Sequence, residues 1–291
     1  MRVQAVHKQP FHAIPYRAVA PSGEVRSRWF GLSHATVDRL PEGCDAVFAC
    51  SDLQGIFERA GEEAPRLLGE AVAAELAKLA GGGYLPGAAR VGVLLCGDLF
   101  VRPQLDRRGG IGDVRPVWRA FARHFRWVAG VAGNHDDFGT AKERAAFLSE
   151  PGIHLLDGEV VDLGGLRVAG LGGIIGDPVK PQRRKEKDFV RALKKLVGAR
   201  PDVMLLHQGP DAPEFKLSGH RAVREVLGRA PVPLVMSGHT HWKEPLATNF
   251  RGSQLLNLEG RGLLLQRGVP SLPAGLKLQF SGAHWHLAAE L

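Results

Sequence analysis

Short, continuous apolar runs recur along the chain, and each closes on glycine and polar residues. Asp45-Ala-Val-Phe-Ala-Cys-Ser51, Val91-Gly-Val-Leu-Leu-Cys96 and Trp127-Val-Ala-Gly-Val-Ala132 read as buried strands. Between the first two, residues from about 56 to 79 are rich in Ala, Leu and Glu, with helical spacing after Pro65. A second helix is predicted near 114–124. This strand–helix–strand–helix–strand order implies parallel pairing through crossovers. The second half reads as shorter strands around 153–156, 159–163 and 166–172, then a basic helix near 185–198. Strands at 203–206 and 232–236 follow, and later ones lie near 253–258, 262–266, 276–280 and 284–288. Two sheets sharing a core, with helices outside, accommodate this order. Residues 1–44 lack such a pattern. Pro10, Pro15, Pro21 and Pro41 interrupt them, so an irregular or edge-strand N-terminal arm is expected there.

Composition narrows the function classes. A hydrophobic share of 44% over 291 residues supports a continuous core and excludes disorder as the dominant state. No apolar run approaches the roughly 18 residues of a membrane span, and the first residues lack a signal-peptide core, so a cytoplasmic protein with no membrane partner is expected. Cys44, Cys50 and Cys96 form no C-x-x-C pair, which argues against a zinc ribbon and fits a reducing compartment. Cys50 and Cys96 are expected as small buried thiols on neighbouring strands, with a regulatory disulfide the remote alternative. The net charge of +8 favours anionic partners. The basic residues of 183–200 read as a solvated face. Arg102 and Arg115 are candidate substrate-binding residues, because their segment leaves the strand end that carries Asp98 and arginine grips phosphate in a fork. Aromatics do not interleave the basic stretches as in a single-strand-binding groove, so nucleic acid stays an alternative substrate without that support.

Candidate chemistry sits immediately after the apolar runs. Asp52, Asp98, Asn134, His207, His239 and His241 each follow one. The carboxyl ends of adjacent strands converge on one crevice in such folds. Carboxylate, amide and imidazole donors together point to metal coordination, and oxygen and nitrogen donors suit hard or borderline ions. Taken singly, Asp52 and Asp98 could be turn residues and His207 a core histidine. Gly238-His-Thr-His241 is more specific, because an i, i+2 pair in extended backbone points both rings one way. His284-Trp-His286 has the same spacing without a carboxylate and reads as sheet surface. His124, His154 and His220 read as ordinary, with a weak substrate role for His220 and Asp211.

The ordered blocks Asp52-Leu-Gln54, Gly97-Asp98, Gly133-Asn-His-Asp136, His207 and Gly238-His-Thr-His241 resemble the calcineurin-like metallophosphoesterase superfamily. The resemblance implies an α/β fold, a four-layer α/β/β/α sandwich with two mixed sheets, with residues 45–291 as the metallophosphoesterase domain. It implies that Asp52, Gln54 and His241 hold one divalent ion, that Asn134, His207 and His239 hold a second, and that Asp98 bridges them. A bridging hydroxide would attack phosphorus, and His135 would serve the leaving group as general acid or contact the phosphate. A small phosphorylated substrate, nucleotide-like among the choices, is the partner expected for this phosphomonoesterase or phosphodiesterase. A metal-deficient scaffold of the same fold and a nuclease acting through the basic surface are the alternatives.

One block departs from the family pattern, which has His where this chain has Gln54. An amide oxygen is harder and weaker as a donor than imidazole nitrogen. Mn²⁺ is therefore the ion expected, ahead of Fe or Zn, with the Gln54 site only partly filled. Protein purified without added metal should carry fewer than two equivalents, and Gln54→His should raise the content. Equal loading of both proteins with two equivalents would refute this.

Overall fold

The computed structural model describes residues 1–58, 64–268, 276–281 and 284–289. Among them, two large sheets lie face to face. In the first, strands Ile153–Leu155, Trp127–Gly130, Val91–Leu95 and Ala46–Ser51 run parallel, and Arg261–Arg267 then joins antiparallel. In the second, Arg167–Leu171, Val203–Gln208, Leu234–Gly238 and Ser253–Asn257 are parallel, with Glu159–Asp162 and Leu246–Phe250 antiparallel at its edges.

Three apolar clusters define the layers. Val47, Ala49, Leu94, Val131, Leu205 and Met236 fill the space between the sheets. Phe48, Val93 and Leu95, on alternate positions of the same strands, face the other way onto Trp118 and Phe121. On the far side, Met204 and Leu206 meet Phe189, Leu193 and Val223. Strands buried on both faces need apolar residues at every position, which is why their runs are continuous rather than alternating. Helices α1 (Leu68–Gly81), α2 (Arg115–His124) and α3 (Ala141–Leu148) belong to the first sheet. Helices α4 (Glu186–Gly198) and α5 (Arg221–Leu227) cover the second. The four-layer α/β/β/α sandwich follows. No described helix is long and apolar enough to cross a membrane.

Several expectations change. Of the two readings of residues 1–44, the strand one describes them: Val3–Val6, His12–Val19 and Val25–Val37 extend the first sheet, and Val25–Val37 pairs in parallel with Arg261–Arg267. Pro15 is tolerated inside a strand, and Pro10 and Pro21 lie outside the pairing. The first helix begins at Leu68, because Ile56–Phe57 and Arg66–Leu67 pair as short strands. Helix α3 has no apolar stripe to announce it, since Phe147 is its single buried residue. It starts instead on a capping box, with Thr140 Oγ1 accepting from the Glu143 N–H and the Glu143 carboxylate from the Thr140 N–H. Cys50 faces the helices and Cys96 the inter-sheet core, so the thiols point to opposite faces and cannot form a disulfide. Strands Leu276–Ser281 and His284–Ala289 pair antiparallel. The side chains of His284 and His286 lie outside those described.

One buried histidine on Val25–Val37 has a measurable consequence. His34 packs on Phe11, with ring centroids 4.3 Å apart, and Gln266 beside it only weakly opposes the loss of its charge. Burial, with a smaller contribution from nearby His7, pushes its pKa down to about 4. The unfolded chain, with an ordinary value near 6.5, binds a proton that the folded chain does not. The neutral ring therefore costs no stability above about pH 6.5, and stability is lost as pH falls from there through 4. Thermal melts between pH 8 and pH 4.5 should show His34→Phe melting roughly 3–6 °C above wild type at the acid end, with the gap closing above pH 7. Parallel curves would remove His34 as the source.

Candidate metal centre

Five parallel strands, three from one sheet and two from the other, aim their carboxyl ends at one place. Asp52 follows Ala46–Ser51, Asp98 follows Val91–Leu95 and Asn134 follows Trp127–Gly130, while His207 and His239 come from Val203–Gln208 and Leu234–Gly238. Asp52, Asp98 and His239 all adopt left-handed backbone, with φ of 56°, 55° and 65°. Such a conformation costs on the order of 1 kcal/mol for a residue with a Cβ, and here it turns the chain sharply so that the side chain enters the crevice. The motif glycines make room. A Cβ on Gly133 would sit 2.1 Å from Asp98 Oδ1, and one on Gly238 would sit 2.3 Å from Asp52 Oδ2.

The predicted residues form one connected group around Asp98, which is 3% exposed. Its Oδ2 lies 3.3 Å from Gln54 Nε2, 3.4 Å from His207 Nε2 and 3.9 Å from His135 Nε2. His207 Nε2 is also 3.2 Å from Asn134 Oδ1, and the His207 and His239 rings are 5.0 Å apart at their centroids. Ligand atoms of Asp98, His207 and His239 all fall within 4.8 Å of one another. Asp52 Oδ2 accepts from the His239 N–H at 3.0 Å and from Ser51 Oγ at 2.7 Å. His241 lines a cavity with Asp52 and Gln54, and its Nδ1 meets Glu259. Left-handed backbone at His239 breaks the extended geometry expected for the His239/His241 pair. His239 lies with Asp98 and His207, whereas His241 is largely exposed beside Glu259.

Supporting contacts orient these groups. His207 Nδ1 faces the Cys96 carbonyl at 2.8 Å, so this nitrogen carries a proton, and a bound cation would take the Nε2 proton's place between Asp98 and Asn134. The His135 N–H donates to Asp98 Oδ1 at 2.9 Å, and its ring Nδ1 is tied to the Gly110 carbonyl. Asp136 closes the Gly133 block with no role expected of it, and the structure supplies one. Its buried carboxylate accepts the N–H groups of Asp98, Leu99 and Gly133 at 2.7–2.9 Å, pinning two ligand-bearing turns together.

Electrostatics test whether cations fit. Burial raises the Asp52 pKa to about 7, with Asp98 adding to it against His207. Asp136 is raised to about 6, by burial and then by Asp98. Burial opposes the charge on His207, but Asp98 and Asp52 outweigh it and raise its pKa to about 10. His239 is lowered to about 4 by burial and by His207, which leaves its lone pair free. The pocket thus gathers more buried carboxylate than its own cations balance, beside the neutral His239 imidazole and the Asn134 amide oxygen. That donor set fits hard or borderline divalent metals.

The proposed substrate arginines are placed elsewhere. Arg102 pairs with Asp106, and the Arg115 guanidinium holds Asp113 and Glu143. Neither lines the cavity of about 320 Å³ that Asp52, Gln54 and His241 share; Arg28, Arg108 and Arg261 do. Arg102 and Arg115 are thus held by carboxylates that sequence spacing did not flag as their partners. His220 accepts from the Ala222 N–H as the cap of α5, and Asp211 pairs with Arg224.

The family model described as calcineurin-like phosphoesterase matches residues 46–243. Among solved structures, TT1561 of Thermus thermophilus is similar over 74% of this chain and 89% of that one, at 18% identity and a TM-score of 0.53. Phosphopantetheinyl hydrolase of Mycobacterium tuberculosis is similar over 74% of this chain and 89% of its own, at 14% identity and a TM-score of 0.43. No curated protein matches the sequence. The likeness to the Thermus structure is one of fold.

Asp136→Ala would leave three buried N–H groups without their acceptor. Urea denaturation should show a loss of about 3–5 kcal/mol, and elemental analysis a fall in bound metal. Wild-type stability together with full metal content would show that the turns hold without it.

Proposed function

The chain belongs to the calcineurin-like phosphoesterase family, and on that premise we propose that it hydrolyses a phosphoester using divalent cations held around Asp98. The carrying observation is the crowding of Gln54, His207 and His135 nitrogens onto one buried Asp98 oxygen, with Asp52, Asn134, His239 and His241 around it. Asp52, Gln54 and His241 would hold one ion, Asn134, His207 and His239 the other, and Asp98 would be shared. Bound there, such ions supply Lewis acidity for phosphoryl oxygens and acidify water. Mn²⁺ suits the oxygen-rich Gln54 side best.

The chain's own groups do the rest. With Nδ1 tied to Gly110, His135 presents Nε2 beside Asp98 as the atom that can hold or hand over a proton, which assigns it to the leaving oxygen. Cys96 keeps His207 in one tautomer and orientation. Two openings meet at His241: the cavity beside Asp52, and a second lined by Phe215, Leu217, Trp242 and Leu246. We take the second cavity as room for a further substituent on phosphorus, which favours a phosphodiester over a monoester.

With Mn²⁺ present, bis(p-nitrophenyl) phosphate should be turned over at least about tenfold faster than p-nitrophenyl phosphate. A wild-type protein inert toward both would instead support a binding module of this fold. His135→Ala should lower kcat by roughly a hundredfold with bound metal near normal. Loss of metal in that variant would move His135 from proton transfer to coordination.

A further inference from the structure

The cavity beside Asp52 and Gln54 has a wall that comes from outside residues 46–243. Tyr16 and Arg28 are direct cross-strand partners on the hairpin of His12–Val19 and Val25–Val37, and the Arg28 charge acts on the Tyr16 hydroxyl. The Tyr16 ring packs against Gly55 so closely that a Cβ there would lie 2.2 Å from its Cδ2. The hairpin is therefore seated directly on the loop that carries Asp52 and Gln54. Arg108 lines the same cavity from the segment after Asp98, and adjacent Gly109 abuts the His135 ring.

Several arginines near this cavity are held by carboxylates. Arg17 and Arg26, on the same hairpin, hold Glu58 and Glu24, and Arg102 holds Asp106. Arg28 and Arg108 form no ion pair with a carboxylate among the described residues, and both line the cavity. Two guanidinium groups in no ion pair, one on a strand and one on a loop, line the cavity that Asp52, Gln54 and Glu259 share. A guanidinium binds phosphate through paired, charge-assisted hydrogen bonds.

We propose that Arg28 and Arg108 form a second anion subsite, and that the natural substrate is a phosphoester whose leaving group carries a further phosphate. This rests on the phosphoesterase reading, because the metal centre must hold the scissile group while the arginines hold the second. The N-terminal hairpin is then a specificity element added to the family core, with Tyr16 steadying Arg28.

Calorimetric titration of the Mn²⁺-loaded protein with propyl phosphate and with propane-1,3-diol bisphosphate tests the subsite by binding alone. Wild type should bind the bisphosphate at least about tenfold tighter. Arg28→Ala and Arg108→Ala should each weaken bisphosphate binding about five- to tenfold and leave propyl phosphate within about twofold. Arg26→Ala on the same hairpin should change neither. Equal affinity of wild type for the two compounds, or equal weakening of both by the arginine variants, would overturn the subsite. Nitrophenyl ester hydrolysis by the same preparations is scored separately. Hydrolysis without a bisphosphate preference sinks the subsite alone, and a preference without hydrolysis sinks the phosphoesterase reading alone.

Discussion

Burying several carboxylates in one crevice is the constraint on which this molecule is organised. Asp98 and Asp136 are nearly sealed from solvent, and Asp52 stands beside them. An isolated buried carboxylate is too costly to stay ionised unless hydrogen bonds and counter-charge surround it. The protein meets part of that need with main-chain N–H groups from Leu99, Gly133, His135 and His239 and with the His207 imidazole. What it leaves unmet, seen in the raised pKa values of Asp52 and Asp136, is the charge a divalent cation would neutralise.

The double-sheet architecture brings these groups together. Asp52, Asp98 and Asn134 leave one sheet and His207 and His239 the other, so the inter-sheet packing of Ala49, Leu94, Leu205 and Met236 sets how close the two ligand groups lie. Interiors at such packing density do not deform smoothly. Asp136 links two turns of the first sheet, and the Cys96 carbonyl reaches across to His207 of the second. Positioning of the site is thus a property of the core.

Specificity is built on the periphery. The hairpin containing Tyr16 and Arg28 and the turn containing Glu259 and Arg261 close the cavity from strands next to one another in the first sheet. Arg261 is tied to Asn257 and to the Trp242 carbonyl, which makes it part of the frame. The same family core could present another entrance by changing these strands alone.

Much of this was legible in the chain. Apolar runs buried on both faces are continuous, so the strands and their parallel order showed in the sequence, and the ligand residues lay where strand–helix folds expose them. The strands of residues 3–37 showed only as one of two readings, because prolines within and beside them masked pairing that only neighbours such as Arg261–Arg267 create. Cys50 and Cys96 looked close in sequence terms, yet pleating sends them to opposite faces. The role of Asp136 was hidden because it acts through backbone groups, which have no sequence signature. Which arginines meet the cavity could not be read at all. Charge density along the chain is local, whereas the pairing of Arg102 and Arg115 with carboxylates, and the want of it at Arg28 and Arg108, depends on distances set across the fold.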